Sequence, residues 1–449
     1  MTVIKDMFCG KRVGFFGIGK SNLSLINVLN LEGADVTLRS DKAIDREKLP
    51  PKLKGCRIYD GKKAFDEMRE ELLFLSPSVR RDRRELSEAC ARGVRLCSDA
   101  ELFFENAKAP IYAVTGSDGK STTATLVTEL LSAKHRAELV GNIGRPMFSS
   151  LSDSTDCYVT ELSSFMLSYL TPQTRRAAVT NITPNHLDWH CSFEEYKAAK
   201  LSIFRGAKEK ILSFDDEILR DYAKKNEVFG VTSTNYTFSE LKRLVKAEVF
   251  LTLENGRIFL NGESLLAIRD VKRRETHNLK NLMTAIAMTF GETAPEGIRR
   301  VAANFGGLPH RCRLVLSRGG VDFYDSSIDS TPSRTAQTLT SLGRRTVVIL
   351  GGRGKGVPYS ELCPALALYA ECAVICGECA DDIYKDVKSA CRTVMVDNFD
   401  DAVEFAAELS RSCGCVLLSP AATSYDAFEN YEERGKRFGF LIENITNMK

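Results

Sequence analysis

Short apolar runs recur along the chain: RVGFFG at 12–17, APIYAVTG at 109–116, AAVTNIT at 177–183, RTVVILGG at 345–352, CAVICG at 372–377 and CVLLSP at 415–420. Each ends in a turn of small or polar residues, after which apolar positions return at helical spacing. Buried strands alternating with helices predict an α/β protein of parallel sheets covered by helices. VFLTLENGRIFLNGESLL departs from that rhythm and predicts a hairpin turning at Asn255-Gly256. Three strand-turn-helix openings, at Gly17, Gly116 and near Gly351, divide the chain. Boundaries at Lys108–Pro110 and Gly306–Pro309 give three expected domains, 1–109, 110–307 and 308–449. No internal repeat stands out.

The composition adds exclusions. With 449 residues, 43% hydrophobic, 27% charged and a net charge of +3, the chain reads as a multidomain enzyme. That charge is too small to suggest nucleic acid as a partner. The N-terminus lacks a secretory pattern and no apolar run approaches the ~20 residues of a membrane span, so a cytoplasmic protein without membrane insertion is expected. Fourteen cysteines are scattered. Cys376-Gly-Glu-Cys379 would need a second ligand pair to hold zinc, and free thiols serving as small hydrophobes are the expectation.

TGSDGKST at 115–122 carries the sharpest local chemistry. A strand ends at Thr115, Gly116 and Gly119 flank Ser117 and Asp118, and Lys120, Ser121 and Thr122 open a helix. Such a loop offers backbone N–H groups to phosphates, a lysine to bridge their charge and a hydroxyl for Mg²⁺. Val114 stands where the usual phosphate-loop pattern has its first glycine. Downstream, Glu161 in VTELSSF and His186 in NITPNHLDWH follow strands, and Lys200 in YKAAKLSIF lies on a helix. Singly, these suit a helix-capping acid, a turn histidine and a solvated lysine; one carboxylate near an ATP loop also suits Mg²⁺.

The compressed loop TGSDGKST resembles that of the Mur ligase and folylpolyglutamate synthetase superfamily, and the likeness runs from about Arg12 to Phe440. It implies three domains: an N-terminal Rossmann-like UDP-binding domain, a central ATPase domain of P-loop type with a parallel sheet, and a C-terminal Rossmann-like domain. By the resemblance, Lys120 acts on the γ-phosphate. Ser121, Glu161, His186 and a carbamylated Lys200 hold Mg²⁺ at two sites. Asn142 in GNIGRP approaches the substrate, as does His186. His277, Asn278 and Asn281 in ETHNLKNLMTAIAM face the nucleotide, with Asn278 and Asn281 as ATP contacts. Arg311 of LPHR and Asp325 complete the ATP site.

The terminal domains narrow the resemblance to the D-glutamate-adding branch. Gly17, Gly19, Lys20 and Ser21 form a turn that would meet the diphosphate of a UDP-linked muramoyl-alanine substrate, and Arg39 would meet its uracil end. In LSPSV, Ser78 replaces a usual glycine. Lys355 in GGRGKG and Ser424 match contacts to the D-glutamate carboxylates, and Tyr431 an aromatic lid; Ser419 and Thr423 are neighbouring hydroxyls. Two departures fall here: DSSIDST lacks a lysine and adds about one residue, and Arg353 replaces a frequent Asp. The implied activity is ATP-dependent amide ligation through an acyl phosphate by a monomer whose partners are small molecules. Alternatives are a Mur-type ligase for another amino acid, or a non-catalytic nucleotide-binding homologue.

Overall fold

Each apolar run becomes a buried strand in a computed structural model that describes residues 8–187 and 189–447. The first sheet holds β1 (Arg12–Phe16), β2 (Asp35–Ser40), β3 (Arg57–Asp60), β4 (Leu72–Leu75) and β5 (Arg95–Cys97). Its order is β3-β2-β1-β4-β5, all parallel. The order reverses beside β1, where parallel sheets of this kind open a crevice beyond the strands' carboxyl ends. Gly17, with φ +84°, makes the turn there.

The middle sheet comprises β6 (Ile111–Thr115), β7 (Ala137–Gly141), β8 (Cys157–Glu161), β9 (Thr174–Val179), β10 (Ala207–Ser213), β11 (Gly230–Ser233), β12 (Val249–Glu254), β13 (Arg257–Leu260) and β14 (Glu263–Ala267). The order is β14-β13-β12-β11-β10-β9-β6-β8-β7, parallel except for β13, which runs antiparallel to both β12 and β14. Asn255 and Gly256 turn β12 into β13 with φ of +47° and +71°, as the Asn-Gly pair predicts. Asn261-Gly262 makes a second turn into β14, also at positive φ.

The third sheet contains β15 (Arg313–Arg318), β16 (Val321–Asp325), β17 (Thr346–Gly351), β18 (Ala370–Cys376), β19 (Thr393–Met395) and β20 (Cys415–Leu418). Its order is β15-β16-β20-β17-β18-β19, with only β15 antiparallel. Cys372, Cys376, Cys379 and Cys415 are buried in its apolar layers.

The chain divides into two compact units, one ending at Phe305 and one beginning at Gly306. The first two sheets share the first unit. Phe148 and Leu151, from the segment after β7, pack with Phe15, Leu25 and Phe74. In return, Ala100 and Phe103 enter the core of the middle sheet, Phe103 meeting Tyr158 edge-on at 5.1 Å.

Candidate active site

β6, buried at every position, delivers the chain to the loop 116–119 between β9 and β8 of the middle sheet. Gly116 (φ +151°) and Gly119 (φ +77°) bend it into the helix Lys120–Leu131. A Cβ at Gly116 would collide with Thr180 Oγ1, and one at Gly119 with Asn281 Oδ1. Only glycine fits at both. The loop is also held from outside. Asp118 N donates to Asn181 Oδ1 (2.9 Å), and Thr180 Oγ1 donates to the Asp118 carbonyl (2.6 Å). Ser117 Oγ donates to the Thr183 carbonyl (2.9 Å), and the Tyr196 hydroxyl lies 2.8 Å away. Asn181 and Tyr196 hold the loop in place, and sequence reasoning singled out neither. Their only signal was their place as the first residues of NITPNH and YKAAK.

Lys120, Glu161 and Lys200 converge on this loop. Lys120 Nζ donates to the Ser117 carbonyl (2.7 Å), and Ser121 is buried in the first helical turn. Lys200 Nζ donates to the Gly116 carbonyl (2.6 Å), with the Tyr196 ring 4.7 Å away. Lys200 is only 2% exposed. Burial first, and the charge of Lys120 second, lower its amine to about 6, with Glu161 and Asp118 opposing. A solvated helix lysine is therefore excluded. Glu161, at the end of β8, accepts from Asn142 Nδ2 through Oε1 (2.7 Å), while its buried Oε2 has no partner. A buried carboxylate oxygen without a donor is costly unless a cation completes it.

His186 lies on the exposed segment after β9 at φ +54°, its ring edge-on to Phe165 at 5.1 Å. Its carbonyl accepts from Trp189 N (3.1 Å) and His190 N (2.9 Å). Asn281 is buried, accepts from Thr123 Oγ1 (3.3 Å) and lies over the loop. Asn278 Nδ2 donates to Glu275 (3.0 Å), and His277 is exposed beside it. Thr122 follows Ser121 in the first helical turn and is half-buried.

In the first sheet, Gly17 and Gly19 precede the helix Lys20–Val28, and Ser21 lines a cleft with Ser76, Pro77, Phe165 and Met166. The Lys20 side chain lies outside the described residues. Arg39 stands near the end of β2. It is buried, ion-paired to Glu70 at 2.6 Å, and donates to the carbonyls of Ala64, Asp66 and Glu67. Its guanidinium braces the 64–67 turn.

In the second unit, an antiparallel bridge of Arg353 with Thr423 sets the turns carrying Lys355 and Ser424 side by side. Lys355 Nζ donates to Ser330 Oγ (3.0 Å), and burial and nearby Arg334 lower its pKa. Arg353 pairs with Glu378, pointing away along the surface. Asp329, in the departing DSSIDST segment, is buried and accepts from Ser419 Oγ (2.8 Å) and Thr338 Oγ1 (2.7 Å). Tyr431 lies against His310, ring centroids 6.1 Å apart. His310 Nδ1 lies 2.6 Å from Asp325 Oδ2, and Asp325 Oδ1 accepts from Ser327 N (2.9 Å). Asp325 is thus engaged within its own unit, with His310 of the turn that also carries Arg311. Arg434, which the sequence did not single out, is buried and donates to Ser327 and to the carbonyl of Ala422.

The family model of the Mur ligase middle domain matches residues 114–289. UDP-N-acetylmuramoylalanine--D-glutamate ligases of Ruminiclostridium cellulolyticum and Acetivibrio thermocellus are each 36% identical to the chain. The alignments cover 97% of both chains in the first case and 98% in the second. Among solved structures, the UDP-N-acetylmuramate-alanine ligase MurC of Thermotoga maritima shares the fold with TM-score 0.58 at 19% identity, over 98% of this chain and 100% of that one. A pseudomurein peptide ligase of Methanothermus fervidus gives 0.53 at 16%, over 97% and 100%. With relatives of that identity along its whole length, the chain belongs to the UDP-N-acetylmuramoylalanine--D-glutamate ligase family of Mur ligases.

Proposed function

We propose that the chain joins D-glutamate to UDP-N-acetylmuramoyl-L-alanine, with ATP as co-substrate, in the synthesis of peptidoglycan precursors. The full-length relatives carry that name. The observation that carries the site assignment is the convergence of Lys120, Glu161 and a buried, charge-poor Lys200 on one glycine-bent loop.

A carboxylate does not acylate an amine in water near neutral pH. Transfer of the γ-phosphoryl group of ATP to the muramoyl-alanine carboxylate gives an acyl phosphate. The amine of D-glutamate then attacks that carbonyl, and phosphate leaves as the amide forms. Lys120 and the loop N–H groups draw charge from the phosphate oxygens and fix them in line. Asn281 closes the loop from above and Asn142 orients Glu161.

Mg²⁺ fits the residues present: the partnerless Glu161 Oε2, the Ser121 hydroxyl and His186 are its ligands in this reading. Bound there, it would neutralise developing charge on phosphate and carboxylate oxygens. Among the described residues no three His, Cys, Asp or Glu cluster as a closed metal cage, as a hard cation shared with substrate phosphates requires none. Lys200 joins the set through its neutral amine, which adds to CO₂, loses a proton and becomes an oxygen-donating carbamate.

Lys355 and Ser424, with Tyr431, are assigned to D-glutamate; Asn278, Arg311 and Asp325 to ATP; Gly17, Gly19, Lys20 and Ser21 to the UDP portion. The working form is a cytoplasmic monomer that uses small-molecule substrates and no nucleic acid. Among the described residues no helix is long and apolar enough to cross a membrane.

The test is phosphate release from ATP with UDP-N-acetylmuramoyl-L-alanine present, comparing D-glutamate, L-glutamate and L-alanine. Release is expected only when the UDP substrate and D-glutamate are both present. Release with another acceptor overturns the Lys355 and Ser424 assignment, and no release with any acceptor overturns the activity.

A further inference from the structure

The segment after β4 and the loop carrying His186 belong to different sheets of the first unit, yet they are bonded through one side-chain pair. The Trp189 indole donates from Nε1 to the Ser78 carbonyl at 2.9 Å. The Arg80 guanidinium lies 4.9 Å over the indole, donates to the Trp189 carbonyl and pairs with Glu195 at 3.2 Å. Glu195 stands on the helix Phe193–Leu201, which carries Lys200. On its other side, Trp189 packs on Phe165 at 4.5 Å, and Phe165 meets His186 at 5.1 Å. Phe165 also lines the cleft with Ser21, Ser76 and Pro77.

We propose that Arg80 and Trp189 are positioning residues that couple the Ser76–Ser78 turn to the His186 loop and the Lys200 helix. Engagement of the cleft by the UDP substrate then sets the catalytic loop. The proposal rests on the ligase reading above. Three observations support a positioning role. Arg80 presents a planar fork to Asp82 while also meeting the indole face, the Trp189 carbonyl and Glu195, a geometry that lysine cannot reproduce. His186 holds a positive φ that an unbraced loop would relax. The path from turn to histidine is continuous, through Ser78, Trp189, Phe165 and His186, as coupling through packed contacts requires.

The chain has a single tryptophan, so its emission reports on this clamp alone. UDP-N-acetylmuramoyl-L-alanine is titrated into the full chain without ATP, followed in parallel by tryptophan fluorescence and by calorimetry. A saturable emission change that tracks the heat supports the clamp. Heat without an emission change overturns it and leaves the ligase reading standing, whereas no heat removes the substrate reading and the clamp with it.

Trp189→Phe keeps a ring but loses the donor. Its kcat is expected to fall on the order of tenfold, the scale of a small misplacement of catalytic groups, with KM for ATP unchanged. Wild-type kcat in Trp189→Phe overturns the proposal. Arg80→Gln is expected to bind the UDP substrate calorimetrically while losing the emission change, and a retained change also overturns it. The titration of the unmodified chain keeps the test decisive if a variant does not fold.

Discussion

Lys200 places an amine where water does not reach, 2.6 Å from the Gly116 carbonyl and 2% exposed. Its pKa of about 6 in the folded chain, against about 10.4 unfolded, means that folding at pH 7 expels a proton. The sign follows from linkage. Between those two values the unfolded chain binds more protons, so stability rises with pH across the window. At pH 7 the cost is on the order of 5 kcal/mol. Lys200→Met removes it but orphans the Gly116 carbonyl, which returns about 1–3 kcal/mol. In bicarbonate-free buffer the variant should melt higher than the parent at pH 7, with the gap closing toward pH 10, while phosphate release is lost. A variant that melts lower at pH 7, or a gap that widens with pH, would sink the argument. Lys200, Glu161 and Lys120 came into view through the resemblance of their segments to Mur ligase motifs, since singly each also suited a structural role. The burial of Arg39 was not legible, because it depends on Glu70 and on the carbonyls of a turn some 25 residues away.

Glycines decide how closely the elements approach. The helix Tyr431–Asn447 contains Gly435 and Gly439, and sequence alone gives both the same reading, a weak helix former. Their surroundings differ. A Cβ at Gly435 would collide with His310 Nδ1 and lie 2.6 Å from Asp325 Oδ2, whereas one at Gly439 would meet Val315 Cγ1 at an ordinary 3.5 Å. Gly435→Ala should therefore destabilise the second unit by about 1–3 kcal/mol through overpacking, despite the helix propensity it gains. Gly439→Ala should stabilise it by up to about 1 kcal/mol. Thermal melting of the two variants reads the difference, and equal shifts would mean that the helix does not rest on the His310–Asp325 pair as described. Strand-turn-helix order was legible in the apolar runs, as was the Asn255-Gly256 hairpin. The second turn at Asn261-Gly262 and the approach at Gly435 were not drawn from the same pattern, the latter because it depends on a partner more than a hundred residues away.

At the scale of the molecule, three sheets were visible in the sequence as three families of apolar runs, but their grouping was not. The expected cut at 109/110 falls between sheets and through shared cores. Residues 1–109 contribute Ala100 and Phe103 to the core of the middle sheet, and receive Phe148 and Leu151 in theirs. Asp99 accepts from the backbone N–H of Met147 (3.2 Å) and Phe148 (3.1 Å), and Arg81 N donates to the Tyr169 hydroxyl (3.0 Å). Which distant side chain completes a core is a long-range fact, and local periodicity carries none of it. The cut at Phe305/Gly306 is different: the apolar clusters on either side of it draw from one unit only. Expressed separately, residues 1–305 and 306–449 should each melt cooperatively. A 1–109 fragment should not, since the loss of Phe148 alone resembles a buried Phe→Ala change of roughly 3–5 kcal/mol, comparable to the whole stability of a small domain. The comparison is made by circular dichroism melts of the three fragments. A cooperative transition in 1–109 near that of 1–305 would show that the shared core is dispensable. A 306–449 fragment without one would show that its two apolar layers are not sufficient by themselves.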